Sequence, residues 1–452
     1  MPLDRCAWKL GRVACTCSIL FCTLFSSGTG LKWYWTVQFN ANPDERYSTK
    51  LSWADRMKPC LDVAVIRDPQ AFAALEEEWD DLYQNSPLST PFQSWAWLYS
   101  WWEHYGESYD LRLTTLRSDG GLLVGLLPLM LERRAGFGRL LFVGNSPYQD
   151  LLVRHEWEAQ VGEAGRRSLR QMGSWSVADL QMLRPQAAAW SIFESWAGPQ
   201  TYVWQHQSPV IDIRPWDEAL ASLSKKRRKS VRQTLRRAEA DGITCKVVTA
   251  DDADQAACRL VALSREQWSE RWLETGPEHW TKRYESFVRT LARRMTACRL
   301  GGICEFRQDG DVIMAHFLIF GRDTIHWYLV GAGRRALERY QFSSLFIWDG
   351  VNIASNRNAR YFDLGYGKEP HKMRWSSRVV PTHRILLGRS RLTWIPYLGY
   401  HILRSRAKRY VYSKQAPRWL EIISDLFAVL KRNTVRIRQS GSFLVKRWFK
   451  GA

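Results

Sequence analysis

The sequence predicts an α/β (α+β) protein made of two similar modules in tandem, followed by a basic helical tail. Three observations support this. From Leu61 onward, strand-like apolar stretches alternate with helix-like ones. A short hairpin signature recurs at a fixed offset of 190 residues. Beyond Arg389, apolar residues fall at helical spacing between runs of Lys and Arg. The 452 residues, 45% apolar and 24% charged, suffice for a sizeable core and exclude disordered, collagen-like and small disulfide-scaffold classes.

The amino terminus stands apart. Val13 to Phe25 follows Arg5, Lys9 and Arg12 and precedes the small residues Ser26 to Gly30, the three-part layout of a secretory signal. Cys15, Thr16, Cys17, Ser18, Cys22 and Thr23 dilute it. Residues 1–56 are therefore expected to be an extension outside the working fold, with translation starting at Met57; a cleaved signal and an accessory segment are the alternatives. Cys60, Cys245, Cys258, Cys298 and Cys304 show no CxxC or Cys/His ligand spacing, so neither a disulfide framework nor a zinc site is expected. The body reads as cytoplasmic and reduced.

Leu61 to Ile66 reads as the first strand. Asp68-Pro69 opens a helix over Gln70 to Gln84, and Ser89-Thr90-Pro91 opens a Trp-rich helix over Phe92 to Tyr105. Leu111 to Arg117 and Leu122 to Leu131 flank Ser118-Asp119-Gly120, a hairpin signal. Leu116 to Gly120 with Val124-Gly125 matches Phe306 to Gly310 with Met314-Ala315, and each copy precedes a further strand and a helix, Glu156 to Gln171 or Ser343 to Ser355. The expected domains are 57–214 and 215–390, with a tail over 391–452.

The net charge of +20 is uneven. Lys225 to Arg237 holds eight cations and no acid, on a predicted helix from Ser224 to Asp241 that Gly242 ends. Residues 389–452 hold fifteen more cations against Glu421 and Asp425. Such patches suit a polyanionic ligand, tRNA or an anionic membrane surface; a solvated face and packing on the body are the structural alternatives. No apolar run approaches the length of a spanning helix. No Walker A loop, GxSxG elbow, HExxH helix or nucleic-acid recognition module occurs, which disfavours NTPase, serine hydrolase, zincin and DNA-binding readings.

Several segments carry a resemblance. Pro91-Phe92-Gln93-Ser94-Trp95-Ala96-Trp97-Leu98, then Trp101-Trp102 and Tyr105-Gly106, resemble the opening of CelD/BcsL-type proteins, as do Gly125-Leu126-Leu127-Pro128-Leu129, Phe142-Val143-Gly144 and Tyr148-Gln149-Asp150. Ser224 to Gly242 resembles their basic helix, and Tyr361 to Glu369 with Lys372 and Trp375 their closing strand and turn. These proteins carry a BioF-like acetyltransferase domain of the GNAT superfamily, related to the FemAB/FemX transferases. The resemblance, over about Leu61 to Leu387, implies tandem GNAT-like acyltransferase folds and transfer of an acyl group from acyl-CoA to an amine, hydroxyl or glycan acceptor, in polysaccharide or cell-envelope synthesis. Acyl-CoA is then a co-substrate and no cofactor is permanently bound.

Such chemistry needs a phosphate cradle, a base and an acceptor site. Ser343 and Ser344, at the start of a helix, with Arg334 and Arg335, are the expected cradle residues. Many relatives have an SPG-like sequence there, where this chain has Gln341-Phe342-Ser343-Ser344. Asp363, at a strand end opposite in phase to Phe362, is the first candidate for base or acceptor binding, with His316 and His326 as further bases. Tyr148, Asp150, Lys372 and Trp375 are the expected substrate-binding residues, Lys372 pairing with Asp363 or an acceptor anion. Each has a structural alternative: capping for Asp363, core packing for the histidines, an exposed loop for the two arginines. A FemX-like transferase using charged tRNA and a non-catalytic scaffold of a polysaccharide machine are the competing functions.

Overall fold

The computed structural model describes residues 61–134, 137–144, 146–269 and 277–411, with side chains to His401, and two strands nearer the amino terminus. The chain divides into two units, Met1–Pro59 and Cys60–Ala452. In the first, β1 (Cys22–Ser27) and β2 (Gly30–Trp35) pair antiparallel, with Cys22 opposite Trp35. The rest of the signal-like stretch and residues 412–452 of the expected tail lie outside the described residues.

The second unit is built on one mixed sheet. Its strands are β3 (Asp62–Ile66), β4 (Asp110–Arg117), β5 (Leu123–Arg134), β6 (Phe137–Phe142), the short β7 (Leu152–Val153), β8 (Val177–Leu183) and β9 (Gln200–Asp212). They continue as β10 (Thr244–Val247), β11 (Gly301–Gln308), β12 (Asp311–Phe320), β13 (Thr324–Ala332), β14 (Tyr361–Asp363) and β15 (Arg378–Gly388). The order is β10-β11-β12-β13-β14-β9-β15-β8-β6-β5-β4-β3, with β7 on β5. This is the expected α/β (α+β) class.

The predicted repeat is visible in the topology. In the first half β3 leads through helices to the meander β4-β5-β6, and a helix then delivers β8 parallel to β6. In the second half β10, the meander β11-β12-β13, a helix and β14 parallel to β13 repeat that plan. Both first hairpins carry a register shift at matching positions, Leu116/Arg117 and Phe306/Arg307. In each, the arginine donates to a carbonyl across the turn, Arg117 to Gly121 at 2.9 Å and Arg307 to Gly310 at 3.2 Å. The turns differ. Asp309 and Gly310 are both left-handed (φ 51° and 91°), as a two-residue hairpin turn with the strands' twist demands. In the first copy the left-handed residue is Gly121 (φ 79°), and Ser118 N–H closes the loop on Leu122.

The halves exchange their last strands. β9 leaves the first half to pair with β14, and β15 leaves the second to pair with β8. The two pair antiparallel with each other from Arg378–Val210 to Leu387–Gln200.

Helices cover both faces: α1 (Trp95–Tyr105), α2 (Glu158–Gln171), α3 (Lys225–Ala240), α4 (Ala253–Trp268), α5 (Lys282–Ala297), α6 (Phe342–Asn356) and α7 (Arg391–Val411). Local chemistry explains their ends. Ser94 Oγ accepts from Trp97 N–H at 3.2 Å, so the predicted Trp-rich helix starts at Trp95, after a 3₁₀ turn over Pro91–Gln93. Asp68 caps its helix as expected, but the chain breaks at Ala74 and resumes at Glu76, giving two helices where one was expected. At the end of α3, Gly242 is left-handed (φ 67°) and Ile243 N–H reaches back to Ala238.

One core joins α1 of the first half to α4 and α5 of the second, with Trp95, Trp97, Trp101 and Trp102 all buried in it. Another packs α6 through Ile347 and Val351 onto Phe362 of β14. The fit there is close: a Cβ on Gly350 would stand 2.4 Å from the Phe362 ring. Gly350→Ala is expected to cost about 1–3 kcal/mol through overpacking. This is read as a lowered thermal midpoint, with Gly173→Ala, where the space is open, as the unaffected control.

Candidate active site

Strands β13 and β14 pair over only three residues, Thr324–Tyr361, Ile325–Phe362 and His326–Asp363, and then part. Just past the last pair, β13 bulges. Trp327 faces Leu318 and Leu329 faces Phe317 on β12, which leaves Tyr328 as the extra residue. Strand β14 ends in Gly365 (φ 74°) and Gly367 (φ 120°), conformations that turn the chain away. A gap in the sheet therefore opens beside Asp363.

Three residues named from the sequence meet there. Phe362 points to α6, so alternation turns Asp363 to the opposite face. Its carboxylate accepts the Tyr148 phenol, lies 3.3 Å from His326 Nδ1 and accepts Gly365 N–H at 2.8 Å. All three side chains are buried, Asp363 at 2% exposure. Tyr148 comes from the first half in a left-handed conformation (φ 55°), and Thr90 donates to its carbonyl at 3.4 Å. Burial, reinforced by the Asp363 charge, pushes the Tyr148 phenol far above its ordinary pKa, so it stays a proton donor. Phe92 packs edge-on to His326 at 5.0 Å. A Cβ at Gly321 would lie 3.6 Å from His326 Nε2, so that nitrogen faces the Gly321 turn.

Two cavities open in the body, and Tyr148, His326 and Asp363 are in the lining of neither. One, of about 270 Å³, lies at the start of α6 and is lined by Ser343, Ser344 and Trp375 together with Arg227 of α3, His371 and Arg374. Among the described residues no Asp or Glu lines it. The N-cap of α6 is Gln341, whose side chain donates to Ser230 instead of capping, and Ser343 and Ser344 sit inside the first turn, where capping had been expected of them. The helix thus opens with first-turn N–H groups that no side chain caps, a place suited to anions. The second cavity, of about 440 Å³, is walled by aromatic residues of α1 and α5 and by Tyr328.

The remaining named residues lie elsewhere. Arg334 and Arg335 occupy a short helix outside the lining of either cavity, and Arg334 N–H donates to Glu266 at 2.8 Å. His316 is fully buried against α6, with Nε2 2.7 Å from Asp349 and its ring stacked on Phe346. Lys372 does not pair with Asp363. Its ammonium donates to the Tyr366 carbonyl at 3.0 Å and pairs with Glu369 at 3.2 Å, clasping the turn after β14. Trp375 stacks on Trp216 with ring centres 5.6 Å apart. Asp150 accepts backbone N–H groups from Leu151, Ala188 and Ala189 and so anchors a loop.

Sequence reasoning missed Arg374, which nothing marks out in a string, and the bulge at Tyr328, a property of pairing and not of composition. Arg227 was present only as one of eight cations.

Residues 225–373 match the family model of the acetyltransferase (GNAT) domain. No curated protein matches the chain. Among solved structures, FemX superposes with a TM-score of 0.50 at 11% identity, covering 72% of this chain and 96% of its own. L-PGS from Bacillus licheniformis (TM-score 0.47, 12% identity, 73% and 96%) and a tandem GNAT protein from the clavulanic acid biosynthesis pathway (0.36, 12%, 72% and 98%) also match.

Burial lifts the Asp150 carboxyl to about 6, against the opposing pull of its backbone donors. A raised folded pKa contributes stability that is complete at low pH and lost as pH climbs through the folded value. Measured against Asp150→Asn, the wild-type protein is expected to lose about 2–3 kcal/mol of unfolding free energy between about pH 4 and 6. Denaturant titrations across that range check it.

The second half of the chain thus carries an acetyltransferase (GNAT) domain, the whole has a GNAT-like fold, and the protein is an acyltransferase.

Proposed function

We propose that the protein is an N- or O-acyltransferase that takes its acyl group from acyl-CoA, on a division of labour between 57–214 and 215–390. The observation that carries this is the buried Tyr148–Asp363–His326 cluster at the point where β13 and β14 part. An uncapped helix start beside cationic side chains lies on the α6 face, and an aromatic cavity lies on the other.

In this reading the CoA phosphates lie at the start of α6 near Arg227 and Arg374, and the thioester reaches through the gap. The acceptor approaches from the α1/α5 face. Its nitrogen or oxygen attacks the carbonyl carbon, the new bond forms as the C–S bond breaks, and the acceptor's proton passes to Asp363 while CoA leaves as a thiolate that solvent protonates. In this reading the backbone at the Tyr328 bulge supplies the donor that the developing oxyanion needs. Tyr148 and Gly365 N–H orient the carboxylate, and His326 faces it on the remaining side.

Charged tRNA is the competing donor, supported by α3 with its eight cations over Lys225–Arg237. A CelD/BcsL-like setting in polysaccharide or cell-envelope synthesis rests on the sequence motifs. Docking of the basic 391–452 tail on the inner face of a membrane rests on its charge, and no helix among the described residues is long and apolar enough to cross one. The departure from an SPG-like helix start is what favours a non-catalytic scaffold.

Calorimetry with acetyl-CoA and longer acyl-CoAs tests the donor: micromolar binding is expected, and its absence together with salt-dependent tRNA binding would move the reading to the aminoacyl donor. Arg227→Ala with Arg374→Ala is expected to weaken acyl-CoA binding about tenfold or more. Asp363→Asn is expected to keep that binding and lose about 10²–10⁴-fold in thiol release with a competent acceptor. Equal turnover by the Asn variant would remove Asp363 from the mechanism.

A further inference from the structure

Three neighbouring strands place a row of metal-binding side chains under one helix. Cys304 of β11 stands directly opposite His316 of β12. Cys245 of β10 is opposite Phe306, two residues beyond Cys304 and therefore on the same face of β11. Asp349 of α6 covers the row. His316 Nε2 lies 2.7 Å from its carboxylate, and donor atoms of Cys304, His316 and Asp349 all lie within 4.8 Å of one another. Burial, and after it the Asp349 charge, pushes the Cys245 and Cys304 thiols above their ordinary pKa, so both sulfurs lie close to that carboxylate. Cys304 and His316 are fully buried and Cys245 is half-buried, which makes the β10 side the more open one.

A disulfide does not fit this arrangement. Cys245 and Cys304 lie on a diagonal of the antiparallel pair, where residues stand about 7–8 Å apart, and a disulfide holds its Cα atoms within about 6.8 Å. A thiol nucleophile needs a substrate beside it, and neither cysteine lines either cavity. The four side chains together make a different kind of set. Two thiolates and an imidazole are ligands that suit zinc, and one carboxylate completes a tetrahedron. Two thiolates and a carboxylate around a dication leave one net negative charge, as do zinc sites made of three cysteines and one histidine. Structural zinc ions are commonly enclosed in this way, and their binding energy is folding energy.

We infer that Cys245, Cys304, His316 and Asp349 form a structural zinc site that ties α6 to strands β10, β11 and β12. On loading, each thiol releases its proton to solvent, and His316 binds through Nε2 with its proton on Nδ1. Two light ligand atoms on one zinc stand roughly 3.3 Å apart, so the Nε2–carboxylate pair opens by about half an ångström. Nδ1 has no hydrogen-bond partner among the described residues, which weakens the site about 10–100-fold against one with an outer acceptor. The four ligands come from four separate elements, so no CxxC-type spacing marks them in the sequence. Asp349 lies about two turns inside α6, whose first turn borders the cationic cavity, and zinc would hold that helix whatever the cavity binds. The inference does not rest on the acyl-transfer reading.

The full chain is produced in medium supplemented with Zn²⁺ or with Co²⁺, kept under a non-thiol reductant and washed with a weak chelator, and its metal content is measured by mass spectrometry. One ion per chain is expected, and the cobalt form is expected to show thiolate-to-metal charge-transfer absorption with the intense visible bands of tetrahedral coordination. Cys6, Cys15, Cys17 and Cys22 are also able to bind metal. A full-length variant with all four changed to Ser is therefore expected to keep the ion. Zinc-edge X-ray absorption of that variant is expected to show two sulfurs at about 2.3 Å and two lighter ligands at about 2.0–2.2 Å, a reading that leaves the core untouched if core variants fold poorly. Cys245→Ser and Asp349→Asn are each expected to lose the ion, whereas Cys298→Ser, exposed and outside the cluster, keeps it. A folded chain that holds no ion overturns the site. So does loss of the ion from the four-serine variant, a ligand shell with four sulfurs or none, or full metal content in both cluster variants.

Discussion

The antiparallel pairing of β9 with β15 holds the two halves in one sheet, and the position of nearly every functional group follows from it. Each of these strands has left its own half to lie beside the last parallel strand of the other, so neither half closes its sheet unaided. Strand β14 is only three residues long and is gripped by β13 on one side and β9 on the other. Asp363 stands opposite His326 and Val210 at once, which ties the carboxylate to a strand contributed by the first half. Tyr148 arrives from that same half. The exchange is therefore what lets a phenol and a carboxylate 215 residues apart share a proton donor–acceptor contact in a buried place.

A buried carboxylate is costly unless its lone pairs are used, and here they are. The Tyr148 hydroxyl and Gly365 N–H fill both oxygens of Asp363, and the left-handed Gly365 is what allows its N–H to turn back. The neighbouring bulge at Tyr328 interrupts the regular register of β12 and β13 two residues beyond His326.

The repeat was legible because turn chemistry is local: Asp-Gly between apolar strands, followed four residues later by a large-to-small step (Val124-Gly125, Met314-Ala315), marks both hairpins. The chemical candidates were legible one at a time. Alternation predicted that Asp363 would oppose Phe362, and it does. That Tyr148, His326 and Asp363 meet was not legible, because their union depends on strand register and on the exchange, and alternation says which face a residue takes but not which strand lies beside it. Lys372 shows the same limit. Its charge suggested Asp363 as partner, yet four residues of a tight helical turn bring Glu369 and the Tyr366 carbonyl closer. The N-cap of α6 is Gln341, so Ser343 and Ser344 fall within the first turn, a boundary that the sequence pattern alone does not fix.

Charge distribution sets the two cavities apart. Arg227 of α3 reaches the cavity at the start of α6, where Arg374, Ser343 and Ser344 also line it and, among the described residues, no carboxylate does. Basic residues, the helix dipole and backbone donors add in the same direction there, a field that reaches beyond contact distance. The aromatic cavity is built the other way. Arg384 neutralises Asp179 at its base, and the Tyr397 hydroxyl of α7 completes the pair. Its lining is mostly aromatic, from Trp97, Trp101 and Tyr105 of α1, Tyr284 and Phe287 of α5 and Tyr328 of β13, so shape counts there more than charge. A long-range field on one face of the sheet and short-range recognition on the other allow an anionic ligand to be drawn in without the second cavity competing for it.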